Sequence, residues 1–211
     1  MTLPMISIMQ IQDLREITRI HLAAFPKSAL GQLGEEMVTR YYRWQLQGPH
    51  DAVALGIYCR ENLAGFCFAG VFRGALSGFL RKNRTFLVWY VLLRPWLIAN
   101  PLFFERLNLA LSVLMRRSVL PVSSVVLPDK SFGILSIAVD PQMQGAGYGR
   151  SLMLEIERIA GERCFSNMHL TVGRNNDRAI MFYEKLGWQK LLASDGVWRG
   201  SMIKHLENID E

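Results

Sequence analysis

An apolar run, Ile134 to Val139, stops at Asp140-Pro141 and leads after three residues into Gly145-Ala146-Gly147-Tyr148-Gly149-Arg150. This arrangement constrains the chain more than any other. A buried strand closes, the backbone turns through glycines, and a helix with Leu152, Ile156 and Ile159 on one face begins. The first amides of a helix have no intrahelical acceptor, and the helix dipole adds partial positive charge there. Glycines remove the side chains that would hold a ligand away from those amides. The segment therefore suits a phosphate or diphosphate.

Two familiar phosphate loops do not fit. A P-loop requires Gly-Lys-Ser/Thr, whereas Arg150-Ser151 follows Gly149. A dinucleotide fingerprint begun at Gly145 needs a third glycine where Arg150 stands.

The rest of the chain organises around this element. Ile6 to Met9 reads as a first strand. Ile11, Leu14, Ile17 and His21 recur at helical spacing, as do Leu33, Met37, Tyr41 and Trp44, with Gly48-Pro49 as a stop. Ala52 to Arg60 and Leu63 to Phe72 read as strands joined at Glu61-Asn62. After the Gly-rich turn, Met168 to Val172 reads as a strand and Arg178 to Leu186 as a helix closed by Gly187. Trp188 to Leu192 and Val197 to Lys204 form a final strand pair. Alternating strands and helices predict α/β layering. Half of the 211 residues are hydrophobic, enough for one packed domain over residues 1–211.

Asn176-Asp177-Arg178-Ala179-Ile180-Met181-Phe182-Tyr183-Glu184-Lys185-Leu186-Gly187-Trp188 is a second distinctive segment. Together with Val139-x-Pro141-x-x-Gln144-x-x-Gly147-x-Gly149, it resembles the paired motifs of the GNAT superfamily of N-acetyltransferases. Trp188 replaces the commoner Phe. The resemblance covers about 134–192, the acetyl-CoA-binding core. It implies a GNAT-like mixed, mostly antiparallel central sheet flanked by helices, and acetyl-CoA as co-substrate. It also implies that Ile137, Ala138 and Val139 serve the pantetheine arm through the strand backbone. Gln144, Gly145, Ala146, Gly147, Tyr148, Gly149 and Arg150 would serve the diphosphate, and Asn176 would contact the cofactor. Tyr183 would sit near its sulfur as the general acid.

Acetyl transfer to an amine requires a neutral amine, a polarised carbonyl and a protonated leaving thiolate. The amide of Val139 is the expected carbonyl donor. The base is not legible: the strand carries Leu135 and Ser136 where family members often place a Glu. His21, Glu35, Glu36 and His169 remain candidates.

Between the third and fourth strands lies a long segment, with a helical insertion expected at about 74–117. It holds eight Arg and Lys between Arg73 and Arg117, together with Trp89, Tyr90, Trp96, Phe103 and Phe104. Three readings stand: a lid over an anionic acceptor, a peripheral membrane-docking face, or a helical cap or homodimer surface. The net charge of +6 suits an anionic partner, but no nucleic-acid motif accompanies it, so no nucleic acid is expected. Three cysteines, Cys59, Cys67 and Cys164, argue against a disulfide framework, and no ligand spacing suggests a metal. The start lacks a basic signal region, and Phe86 to Leu93 is cut short by Arg94-Pro95, so a cytoplasmic enzyme is expected. The acceptor expected is a small-molecule primary amine, an amino sugar or nucleotide-linked sugar among the candidates, attacked directly in a ternary complex. A protein lysine or N-terminal acetyltransferase and a non-catalytic CoA-binding module are the alternatives.

Overall fold

The structure, a computed structural model, describes residues 4–72, 75–92 and 131–206. Its strands are β1 (Met5–Ile8), β2 (Asp51–Cys59), β3 (Asn62–Val71), β4 (Ser131–Val139), β5 (Asn167–Thr171), β6 (Gln189–Leu192) and β7 (Trp198–His205). Its helices are α1 (Leu14–Ala24), α2 (Ala29–Gln32), α3 (Glu35–Gln47), α4 (Ala75–Lys82), α5 (Arg84–Leu92), α6 (Tyr148–Glu162) and α7 (Asp177–Lys185). Short 3-10 turns precede α1 (Ile11–Asp13) and α6 (Pro141–Met143).

The strands form one sheet in the order β1-β2-β3-β4-β5-β7-β6. Every neighbouring pair is antiparallel except β4 and β5. The mixed, mostly antiparallel sheet expected from the sequence is thus the one found. The β2–β3 hairpin turns at Arg60-Glu61 rather than Glu61-Asn62. Both turn residues take positive φ, 49° and 68°, as a two-residue hairpin of this hand requires, and Asn62 already pairs with Cys59.

Side-chain alternation divides the core between the two faces of the sheet. On one face Val53, Leu55, Ile57, Cys67, Ala69, Phe132, Ile134, Met168 and Leu170 pack under α6 and α7 through Leu152, Met153, Ile156, Ile180 and Tyr183. On the other, Ala54, Phe66, Phe68 and Ala138 meet Leu14, Ile17 and Ile20 of α1 and Val38 and Tyr42 of α3. Met37, Phe79, Leu80 and Tyr90 form a smaller cluster joining α3 to α4 and α5. Those two helices begin the expected insertion, and the remainder, including Trp96, Phe103, Phe104 and the loop expected at 118–130, lies outside the described residues.

The register of β4 sets up the site. It pairs with β3 along most of its length, with a bulge that leaves Leu135 between the Phe68–Ser136 and Ala69–Ile134 pairs. It pairs with β5 only at Ser131–Asn167, Phe132–Met168 and Gly133–His169. Beyond Gly133 the two strands part, and the β5-facing edge of β4 runs unpaired toward the Gly-rich turn. A parted pair leaves main-chain N–H and C=O groups in a cleft, where an extended ligand arm can bond them.

Candidate active site

The cleft leads to Asp140, whose side chain is buried. Its Oδ1 accepts from the Gln142 amide at 3.0 Å, and its Oδ2 accepts from Arg19 Nη1 of α1 at 2.7 Å. The Asp140 amide donates to the Ala64 carbonyl at 2.8 Å. Burial alone pushes this carboxyl up, but the Gln142 amide and the Arg19 guanidinium outweigh it and hold the group below the ordinary Asp range. The carboxylate is therefore a charged peg that fixes where the turn begins.

From there the backbone opens outward. Gly145 has φ 88°, and Gly147 has φ 83° and ψ 0°, the left-handed conformation, at the cap position of α6. A Cβ at either would meet nothing within 4 Å, so both face open space. Among the described residues, no main-chain acceptor meets the amides of Gly145 to Arg150, and the first bond of the helix runs from the Ser151 amide to the Gly147 carbonyl. These orphan donors, gathered at the positive end of a fifteen-residue helix, are of the kind that could hold an anion. Gly149 lies against packed side chains. A Cβ there would stand 3.5 Å from the Phe182 ring and 3.8 Å from Val139 Cγ2, ordinary contact distances that show how α6 starts beside α7 and the strand end.

The other residues singled out from sequence fall around this line. Ile137, Ala138 and Val139 pair with Cys67, Phe66 and Gly65 of β3. Gln144 turns back, its Nε2 donating to the Val139 carbonyl at 3.2 Å, so its side chain closes the turn. The Cys59 thiol neighbours the Tyr148 phenol and raises its pKa. Arg150 is exposed. Asn176 caps α7, its Oδ1 accepting from the Ala179 amide at 3.2 Å, which leaves its Nδ2 as the group open to a ligand.

Tyr183 lies on the inner face of α7, 8 % exposed, with Phe182 edge-on at 5.2 Å and Trp188 at 6.1 Å between centroids. Burial, with a smaller push from Cys67, raises its pKa, so the phenol keeps its proton at neutral pH. Cys67 is the residue opposite Ile137, which puts Tyr183 alongside the parted stretch of β4.

The opposite face carries polar contacts that no motif announces. Tyr42 is fully buried, its hydroxyl 2.9 Å from both Ser136 Oγ and His21 Nδ1, and His21 Nε2 is 3.4 Å from Ser28 Oγ. Burial pushes His21 down to about 4 and Tyr42 upward. Further along the same face, His169 Nδ1 lies 2.8 Å from Ser131 Oγ. His21 and His169 were visible as candidates from sequence; their serine and tyrosine partners were not. A cleft of about 300 Å³ lies beside the Arg19–Asp140 pair, lined by Arg15, Glu16, Thr18, Arg19, Leu22 and Glu35. Among the described residues, no group of three His, Cys, Asp or Glu side chains is placed to hold a metal, and no helix is long and apolar enough to cross a membrane.

Comparison with known proteins bears on this geometry. Residues 119–188 match the model of the Acetyltransferase (GNAT) family. Comparison with curated protein sequences finds no match. Among solved structures, the fold is shared with the ribosomal-protein-S18-alanine N-acetyltransferase of Escherichia coli (TM-score 0.57, 18% identity, 99% of this chain and 97% of that one). It is also shared with the PaiA N-acetyltransferase of Thermoplasma acidophilum in complex with coenzyme A (0.56, 15%, 97% and 99%). A third is the ribosomal-protein-alanine N-acetyltransferase of Brucella melitensis (0.56, 15%, 96% and 99%). The matched segment contains β4, the Gly-rich turn, α6, β5 and α7, the elements that build the cleft.

Proposed function

We propose that this chain is a GNAT-type acetyltransferase that moves the acetyl group of acetyl-CoA to a primary amine of a small molecule by direct attack in a ternary complex. The observation that carries the reading is the set of unpaired amides from Gly145 to Arg150 at the end of the parted β4 edge. An extended arm bonded to β4 and a diphosphate held at α6 together describe coenzyme A. In this reading Gly145, Ala146, Gly147, Tyr148, Gly149 and Arg150 hold the diphosphate. Ile137, Ala138 and Val139 hold the arm through their backbone, and Asn176 Nδ2 adds a contact. The acetyl carbonyl takes a hydrogen bond from the Val139 amide, and the buried phenol of Tyr183 supplies a proton to the departing thiolate.

The cleft beside Arg19 supports a small acceptor. Its volume lies at the low end of small-molecule sites, and it offers both carboxylates and guanidinium groups. Those charges suit an acceptor bearing an amine and an anionic group together. A second reading, acetylation of a protein N-terminus, draws on two neighbours of like fold that are ribosomal-protein-alanine N-acetyltransferases. A test of both measures acetyl-CoA consumption with glucosamine, spermidine, free amino acids and an alanine-led tetrapeptide. Turnover with a small amine and not the peptide is expected. The reverse result selects the second reading, and no acetyl-CoA binding by calorimetry overturns both.

A further inference from the structure

Helix α5 is apolar on two sides. Phe86, Leu87 and Tyr90 turn inward and pack with Met37, Phe79 and Leu80 in the cluster that joins it to α3 and α4. The opposite arc carries Arg84, Thr85, Val88, Trp89 and Leu92, all exposed and contiguous at helical spacing. Val88, Trp89 and Leu92 are 58 %, 60 % and 65 % exposed, so the fold leaves more than half of each unused. On α6 and α7 the exposed large apolar residues, Leu154 and Met181, stand singly. Three on one face of α5 form a stripe, and a helix apolar all round is one that something covers on every side.

The charges beside the stripe have one sign. Asn83 joins the two helices: its Nδ2 and its amide both donate to the Phe79 carbonyl, at 2.9 and 3.0 Å, and its carbonyl accepts from the Leu87 amide at 2.8 Å. That turn sets Arg81 and Lys82, at the end of α4, beside Arg84, the first residue of α5. Arg84 in turn lies one helical turn from Val88. All three cations are exposed, and none makes an ion pair among the described residues. From Asn62 to Phe104 the sequence contains no Asp or Glu. On α3, Glu36 is engaged by Arg40 at 2.7 Å, and the Arg40 guanidinium lies 4.0 Å over the Phe86 ring.

We infer that the outer face of α5, with the end of α4, docks on an anionic lipid surface. The inference stands apart from the acetyltransferase reading and does not need it. The helix lies in the plane of the interface. Val88, Trp89 and Leu92 enter the boundary between headgroups and acyl chains, while Arg81, Lys82 and Arg84 stay at the level of the lipid phosphates. An indole suits that boundary because its ring is apolar and its N–H is not. Among the described residues no helix is long and apolar enough to cross a membrane, so the contact is peripheral.

Charge decides between this occupant and a second copy of the chain. A two-fold contact through the same stripe would set two groups of Arg81, Lys82 and Arg84 against each other, with no acid on either face to offset them. Anionic headgroups remove that repulsion and cover the stripe in one contact. Each cation near such a surface adds its own attraction, which salt screens.

The test sediments the full chain with vesicles of phosphatidylglycerol and phosphatidylcholine in equal parts, and with vesicles of phosphatidylcholine alone. Binding to the first and not the second is expected, weakening as salt rises. Arg81→Gln combined with Arg84→Gln is expected to weaken it roughly 30-fold. Val88→Asp, which places a negative charge in the middle of the stripe, is expected to abolish it. These side chains are exposed, so both variants should keep the parent's circular dichroism and thermal midpoint. Failure of the parent to bind either vesicle, equal binding to both, or parent-like binding by the folded variants overturns the inference. So does a dimer in sedimentation velocity that Val88→Asp dissolves and anionic vesicles leave intact, which gives the face to a second copy.

Discussion

Arg19 and Asp140, 121 residues apart in sequence, meet at 2.7 Å and tie helix α1 to the first residue after strand β4. The same aspartate caps the Gln142 amide, so one carboxylate sets both the exit of the strand and the entry of the turn. Asp140→Ala is expected to leave that amide and the guanidinium without their acceptor and to cost about 1–3 kcal/mol. Acetyl-CoA affinity should fall with it. The carboxyl is held below its ordinary value, so its contribution is complete above the unfolded Asp range and is lost as pH falls through the lower, folded value. Chemical denaturation at stepped pH measures this, and an unchanged acid limb in Asp140→Ala would refute the role.

Gly147 is bound to its residue type by conformation. Its φ of 83° costs an L-residue roughly 1–2 kcal/mol, and a side chain would extend into the open space above the turn. Gly147→Val is expected to abolish acetyl-CoA binding while the domain still folds, as judged by circular dichroism. Parent-like affinity in calorimetry would remove the diphosphate from this turn.

Tyr183→Phe removes one oxygen from a packed ring and leaves its contacts with Phe182 and Trp188 in place. Turnover is expected to drop on the order of 10²-fold, with the KM for acetyl-CoA nearly constant. Equal turnover would mean the phenol only packs.

The Tyr42 hydroxyl joins His21 to Ser136 through two 2.9 Å contacts in a fully buried position. Tyr42→Phe leaves both partners short of a bond and is expected to destabilise by about 1–3 kcal/mol. His21 is pushed from an ordinary value near 6.5 to about 4. The unfolded chain therefore binds the extra proton first. Stability is full above about pH 6.5 and falls as pH drops toward 4, where the loss levels off. In His21→Gln the slope between those values should flatten, measured by urea unfolding at fixed pH steps.

Much of this was readable from residue order because it is local. Strand, glycine turn and helix follow one another within thirty residues, and period and turn chemistry report such elements directly. The edges were less legible. Strand β4 begins at Ser131, three residues before its apolar run, because Ser131 and Gly133 enter the sheet by pairing with Asn167 and His169. Backbone pairing leaves no mark on hydropathy.

The sequence by itself determined the glycine turn and the helix start that follows it. Gly145 to Gly149 place unpaired amides at a helix start whatever surrounds them. Only the tertiary structure decided what stands around that end. Arg19 reaches Asp140, Tyr42 reaches Ser136, and the His169 imidazole lies over Gly133, each because strand order, the β4 bulge and the parting of β4 from β5 bring distant residues together. Register is a property of two strands at once, and the periodicity of either strand alone does not contain it.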